Sequence, residues 1–122
     1  MNIGTDIVSI GRIEGVLTKQ GERFLRRILT PAEHTEYQRR GAPIKFLANR
    51  FAGKEAIAKA LGTGIAKGVT FQNIEILPNE QGAPCAELSG AALARQQTLG
   101  ARKVHLSLAD ENEYVVAFAV VV

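Results

Sequence analysis

Glu55 and Lys59 stand four residues apart in the stretch Phe51-Ala52-Gly53-Lys54-Glu55-Ala56-Ile57-Ala58-Lys59-Ala60-Leu61-Gly62-Thr63-Gly64. On a helix, that spacing projects a carboxylate and an ammonium from the same side, one turn apart. Such a face could hold a metal ion and a phosphate. It could equally be an exposed ion pair worth about 0.2 to 0.5 kcal/mol. The helical neighbours of Glu55 are Phe51, Ala52, Ala58 and Lys59, so its carboxylate stands at the margin of an apolar face, where an unpaired charge is costly. A second carboxylate, Asp6, falls near the end of an N-terminal strand. Locally it reads as a turn or helix-capping group; paired with Glu55 it would make a hard oxygen site. Gly62-Thr63-Gly64 follows a helix instead of preceding one, so it is not a P-loop. Taken alone it reads as a C-cap, although its amides and hydroxyl could contact a phosphate beside Lys59. Two carboxylates with no clustered cysteine or histidine suit Mg²⁺, which takes one or two protein carboxylates and completes its shell with water and substrate phosphates.

The elements that must position these groups follow from pattern and punctuation. Ile3 to Val8 reads as a strand broken by Gly4, with Ser9 capping a helix from about Gly11 to Lys19 that stops at Gly21. Glu22 to Leu29 is a short helix with Phe24, Leu25 and Ile28 on one side and Arg23, Arg26 and Arg27 on the other. Thr30-Pro31-Ala32-Glu33 is a capping box with proline at the first helical position, which starts a helix running to about Arg40 and stopping at Gly41. His34 on that helix has Gln38 at i+4, so it reads as a surface histidine. Pro43 opens the main helix, about Ile44 to Leu61, with Phe46, Leu47, Phe51, Ala58 and Leu61 toward the core and Gly62 as its stop.

From Thr70 the pattern turns extended. Phe71 to Leu77, a turn at Asn79-Glu80-Gln81-Gly82 and Pro84 to Leu88 read as a hairpin, after which Ser89 caps a helix from about Gly90 to Leu99. Lys103 to Leu108 and Glu113 to Val122 are the last strands, joined at Ala109-Asp110-Glu111-Asn112. The final strand is apolar on both faces, as in a strand central to a sheet or buried against a subunit.

A chain of 122 residues implies one domain, 1–122, with a real core. The lone Cys85 and an N-terminus without signal-peptide regions point to a reducing, cytoplasmic compartment. The longest apolar run, Val115 to Val122, falls short of a membrane span. A net charge of +3 permits an acidic partner. Arg12, Arg23, Arg26, Arg27, Arg39 and Arg40 all lie in the first third, which places any acidic partner on the N-terminal helices.

Two motifs in order, Gly4-Thr5-Asp6-Ile7-Val8-Ser9-Ile10-Gly11-Arg12-Ile13 and the Phe51–Gly64 stretch, resemble the signature pair of the short 4'-phosphopantetheinyl transferases, the holo-acyl-carrier-protein synthases. The resemblance covers nearly the whole chain. It implies an α+β fold in which an antiparallel sheet packs against one long and several short helices, assembled as a homotrimer with active sites between subunits. It also implies the reaction: Mg²⁺-dependent transfer of the phosphopantetheine arm of coenzyme A to a serine of apo acyl carrier protein, with release of adenosine 3',5'-bisphosphate, in fatty acid biosynthesis. By the resemblance, Asp6 and Glu55 are metal ligands, Lys59 binds phosphate, Gly62, Thr63 and Gly64 form the coenzyme A loop, and Arg50 meets the nucleotide 3'-phosphate. Arg12, Arg23 and Arg26 would dock the carrier.

One departure stands out. Many relatives carry a histidine near the nucleotide where this chain has Asp110, in Ser107-Leu108-Ala109-Asp110-Glu111. An anion there would repel phosphate unless it points away. His105 reads as a sheet histidine. Which group deprotonates the acceptor, a carboxylate or a bound water, stays open. Two other classes compete. One is a phosphohydrolase using Asp6 and Glu55 with water as nucleophile. The other is a nucleic-acid-binding module, disfavoured because Arg12 to Arg27 contains one aromatic, Phe24, on the core side.

Overall fold

The computed structural model describes residues 2–122. Strand β1 (Asn2–Ser9) leads into α1 (Ile10–Gln20), α2 (Glu22–Ile28), α3 (Pro31–Arg39) and the long α4 (Ile44–Ala60). A 3-10 turn at Phe71–Asn73 precedes β2 (Ile74–Pro78), β3 (Pro84–Leu88), α5 (Gly90–Thr98), β4 (Val104–Asp110) and β5 (Tyr114–Val121). The α+β expectation holds, with the antiparallel strands divided between a three-stranded sheet in the order β1-β5-β4 and a separate β2-β3 hairpin.

Local chemistry sets the helix starts. Ser9 Oγ accepts from the Arg12 amide, and the Thr30–Glu33 capping box forms in full with Pro31 in the first turn. Ser89 occupies the N-cap position of α5, yet its side chain makes no capping bond. At the other end of the hairpin, Asn79 Oδ1 accepts from the amides of Gln81 and Ala83 and closes the turn.

Helix α4 is the centre of the molecule. It packs against β1, β5, β4, β2, α1 and α2, so residues on nearly every side of it are buried, including Leu47, Ala52, Gly53, Ala56, Ile57 and Ala60. Its small residues let the strands come close. A Cβ at Gly53 would lie 2.8 Å from Ile76 Cδ1 and 3.3 Å from Leu106 Cδ2. Gly4 does the same from the strand side and does not break β1, contrary to the sequence expectation. The strand runs unbroken from Asn2 to Ser9, paired along β5, and a Cβ on Gly4 would sit 2.1 Å from the Ala56 carbonyl oxygen. Glycine is there because strand and helix backbones touch.

Strand β5 is indeed central. Val115, Ala117, Ala119 and Val121 are buried toward α4. The opposite face is apolar but open, with Ile3 62%, Ile7 64%, Val116 40% and Phe118 44% exposed.

Candidate active site

Alternation along β1 puts Gly4, Asp6 and Val8 on one face. Because Gly4 abuts α4, Asp6 faces that helix too, at the level of its last turns. Asp6 lies mid-strand, opposite Ala117 of β5, and caps nothing. Its Oδ1 accepts from Lys59 Nζ at 3.0 Å, and Lys59 also donates to the Thr5 carbonyl at 3.0 Å. The intrahelical Glu55–Lys59 pair therefore does not form. Lys59 bridges to the strand, with half its side chain in solvent, whereas the Asp6 side chain is 15% exposed.

Glu55 lines the same cavity, of about 330 Å³, together with Asp6, Lys59 and Arg12 and an apolar wall that includes Ile13, Phe24 and Phe51. Among the described residues it has no hydrogen-bond or ion-pair partner. Burial first, and then the negative charge of Asp6, push the Glu55 carboxyl above the usual carboxylate range, while Lys59 and Arg27 pull it back in part. The donor set fits a hard cation: two carboxylates share one cavity, one of them without a partner and raised by the other's charge. A divalent cation would relieve that repulsion and free the exposed, flexible Lys59 from Asp6.

The walls are held by aromatic packing. Phe51 stacks on Phe71 with centroids 5.4 Å apart and lies 6.4 Å from Phe24. Neither Phe24 nor Phe51 was singled out as a site residue from the sequence, because an aromatic at helical spacing reads as core. Arg27, whose guanidinium lies 5.7 Å over the Phe71 ring and whose charge reaches Glu55, was likewise counted only as part of the basic cluster.

The other expected residues lie elsewhere. Arg50 does not line this cavity. It is 5% exposed, its Nε donates to the Ile76 carbonyl at 2.9 Å and its guanidinium lies 4.1 Å over the Phe46 ring. Burial lowers its pKa to about 10. Its terminal nitrogens find no acceptor among the described residues. Gly62, Thr63 and Gly64 form a C-cap: their amides donate back to the Lys59 carbonyl and, twice, to that of Ala58, and Thr63 Oγ1 donates to the Gly64 carbonyl. The φ values of +82° and +63° at Gly62 and Gly64 explain the glycines. Arg23 and Arg26 are exposed on α2. Arg39 and Arg40 are spent on Glu36, to which both donate hydrogen bonds. His34 is partly exposed, 3.8 Å from Glu22. Asp110 pairs with Lys45 Nζ at 3.3 Å, so its charge is offset.

A second ionic centre escaped the sequence reading. Lys54 and Glu33 are fully buried and paired at 2.6 Å. Burial lowers the Lys54 pKa, opposed by the Glu33 charge.

Comparison with known proteins identifies the family and the fold. Residues 2–119 match the model of the 4'-phosphopantetheinyl transferase superfamily. A holo-acyl-carrier-protein synthase of Shewanella amazonensis is 51% identical over 120 residues, 98% of this chain and 96% of its own length. The crystal structure of the holo-acyl-carrier-protein synthase from Neisseria meningitidis superposes with a TM-score of 0.90 at 46% identity, covering 98% of this chain and 96% of that one. The Helicobacter pylori enzyme, solved in complex with coenzyme A, gives 0.87 at 32% identity over 98% of this chain and 99% of its own. With matches of this extent in sequence and in fold, the chain belongs to the 4'-phosphopantetheinyl transferase superfamily, as a relative of the holo-acyl-carrier-protein synthases.

Proposed function

We propose that this protein, a single domain over 1–122, transfers the 4'-phosphopantetheine arm of coenzyme A to a serine of apo acyl carrier protein and releases adenosine 3',5'-bisphosphate, in fatty acid biosynthesis and in the cytoplasm. The observation that carries the reading is the shared cavity of Asp6 and unpaired Glu55, with Lys59 at its rim. Relatives named for this activity, one of them holding coenzyme A, support it.

Asp6 and Glu55 would hold Mg²⁺, which when bound neutralises pyrophosphate charge and steadies the leaving phosphate. Lys59, released from Asp6, is long and exposed enough to neutralise a phosphate oxygen. With the acceptor serine positioned at the cavity mouth, attack needs alignment and charge neutralisation more than covalent help from the protein. A carboxylate of the pair or a bound water takes the serine proton. Phe24 and Phe51 exclude bulk water from one wall.

Arg50 keeps a proposed role at the nucleotide 3'-phosphate, since its terminal nitrogens are unused, and Gly62–Gly64 keeps its place beside the coenzyme. Both fit an active site completed across a subunit border. The exposed face of Ile3, Ile7, Val116 and Phe118 suits the homotrimer. Arg12 at the cavity, with Arg23 and Arg26 on exposed α2, would receive the acidic carrier.

The test is nucleotide release followed by chromatography. Adenosine bisphosphate should form from coenzyme A only when apo carrier and Mg²⁺ are both present. Release without carrier would support the hydrolase instead.

A further inference from the structure

Lys54 is next to Glu55 on α4, but about 100° around the helix from it, and its side chain is fully buried in the protein. Its ammonium donates to the Ile28 carbonyl at 2.6 Å, the Phe71 carbonyl at 3.0 Å and Glu33 Oε1 at 2.6 Å, which satisfies all three of its protons. Glu33 Oε1 also accepts from the Thr30 amide at 2.8 Å, and Oε2 from the Ile76 amide at 2.7 Å. Five segments meet at these two side chains: the end of α2, the start of α3, α4, the 3-10 turn and β2. Besides α4, which carries Phe51, Glu55 and Lys59, two of these segments bear on the cavity. Helix α2 carries Phe24, and the 3-10 turn carries Phe71, on which Phe51 stacks. On the far side of α4, Gly4 fixes how close Asp6 comes.

We infer that Lys54 and Glu33 are positioning residues for the metal site: the buried pair fixes the roll and height of α4 and thereby aims the Glu55 carboxylate at Asp6. A lysine whose only task was to fill core volume would be replaceable by an apolar chain, since buried ion pairs add little stability over well-packed hydrophobic isosteres. Three fixed acceptors around one ammonium instead define a unique helix rotation, which a methionine would leave free within its packing. Groups bonded directly to a metal ligand change metal affinity by about 10- to 100-fold when removed; Lys54 and Glu33 touch neither Asp6 nor Glu55 and act through the placement of α4, so the low end of that range applies. This inference rests on the reading of Glu55 as a metal ligand.

The test uses Mn²⁺ binding by electron paramagnetic resonance, with coenzyme A present, on the wild-type protein, Glu55→Gln, and the double variant Lys54→Met with Glu33→Gln. Melting curves accompany each. The wild type should bind Mn²⁺ and Glu55→Gln should bind it far more weakly. The double variant should melt cooperatively yet bind Mn²⁺ at least about tenfold more weakly, with half-saturating Mg²⁺ for transfer rising in parallel and kcat at saturating metal within about threefold. A double variant that melts lower but binds Mn²⁺ like the wild type makes the pair purely structural and overturns the inference. Should that variant not fold, Glu33→Gln alone is read by the same criterion, weakened binding supporting positioning and unchanged binding refuting it. If Glu55→Gln binds Mn²⁺ like the wild type, the reading of Glu55 fails and this inference fails with it.

Discussion

Gly4→Ala tests whether the contact between β1 and α4 sets the site. A Cβ there would lie 2.1 Å from the Ala56 carbonyl oxygen and 2.6 Å from the Ala60 amide nitrogen, both backbone atoms that no rotamer change can move. Ordinary contact begins near 3.4 Å, so the strand must retreat from the helix by about 1.3 Å, and over-packing of this kind costs about 1 to 3 kcal/mol. For a chain of this length that is a fall in melting temperature of about 5 to 15 °C. The retreat also carries Asp6 away from Glu55. A misplacement of about 1 Å in a catalytic constellation can cost about 100-fold in rate. The assays are calorimetric melting and the rate of phosphopantetheine transfer on protein that remains folded. Gly15→Ala is the control: a Cβ at Gly15, in α1, meets nothing within 4 Å, and the change should stabilise by about 0.5 to 1 kcal/mol with activity unchanged. If Gly4→Ala melts and transfers like the wild type, strand-to-helix approach does not set the site.

Three further outcomes are expected. In metal-free protein, Glu55 binds a proton more tightly when folded than when unfolded, so its contribution to stability falls as pH rises above its ordinary value of 4.5. Glu55→Gln should therefore melt higher than the wild type at pH 7 in chelator, with the difference vanishing near pH 4, and Mg²⁺ should no longer protect it; a variant that melts lower at pH 7 contradicts the burial argument. Charge reversal at Arg23 and Arg26 should raise the KM for apo carrier at least about tenfold at low salt, with the defect shrinking as ionic strength screens the encounter, and leave the KM for coenzyme A unchanged. Phe118→Asp, on the open apolar face, should reduce the assembly's mass in sedimentation or lower its melting temperature, whereas unchanged mass and melting would remove the subunit-interface argument.

Punctuation carried most of the fold. The Thr30–Glu33 capping box, the glycine stops and the hairpin turn are local chemistry, and each sits where that chemistry puts it. The convergence of Asp6, Glu55 and Lys59 in one cavity matches what the two motifs implied, although the partner of Lys59 is Asp6 and not Glu55. What the sequence hid is tertiary. Gly4 looked like a strand breaker because nothing local reveals a helix backbone 2.1 Å beyond its missing Cβ. Lys54 looked like any helical lysine, since its partners Ile28, Glu33 and Phe71 come from three other segments. Helix α4 showed little amphipathic period for the same reason: a helix buried on nearly all sides has no polar face to betray its orientation.

The central claim is that Asp6 and Glu55 serve one transfer reaction. Its most direct measurement is the intact mass of an apo acyl carrier protein after incubation with this protein, coenzyme A and Mg²⁺, beside Glu55→Gln and a chelator control. The account predicts a gain of one phosphopantetheine with the wild type and none with either control. An equal gain with Glu55→Gln, or no gain from well-folded wild type with any apo carrier, would contradict it.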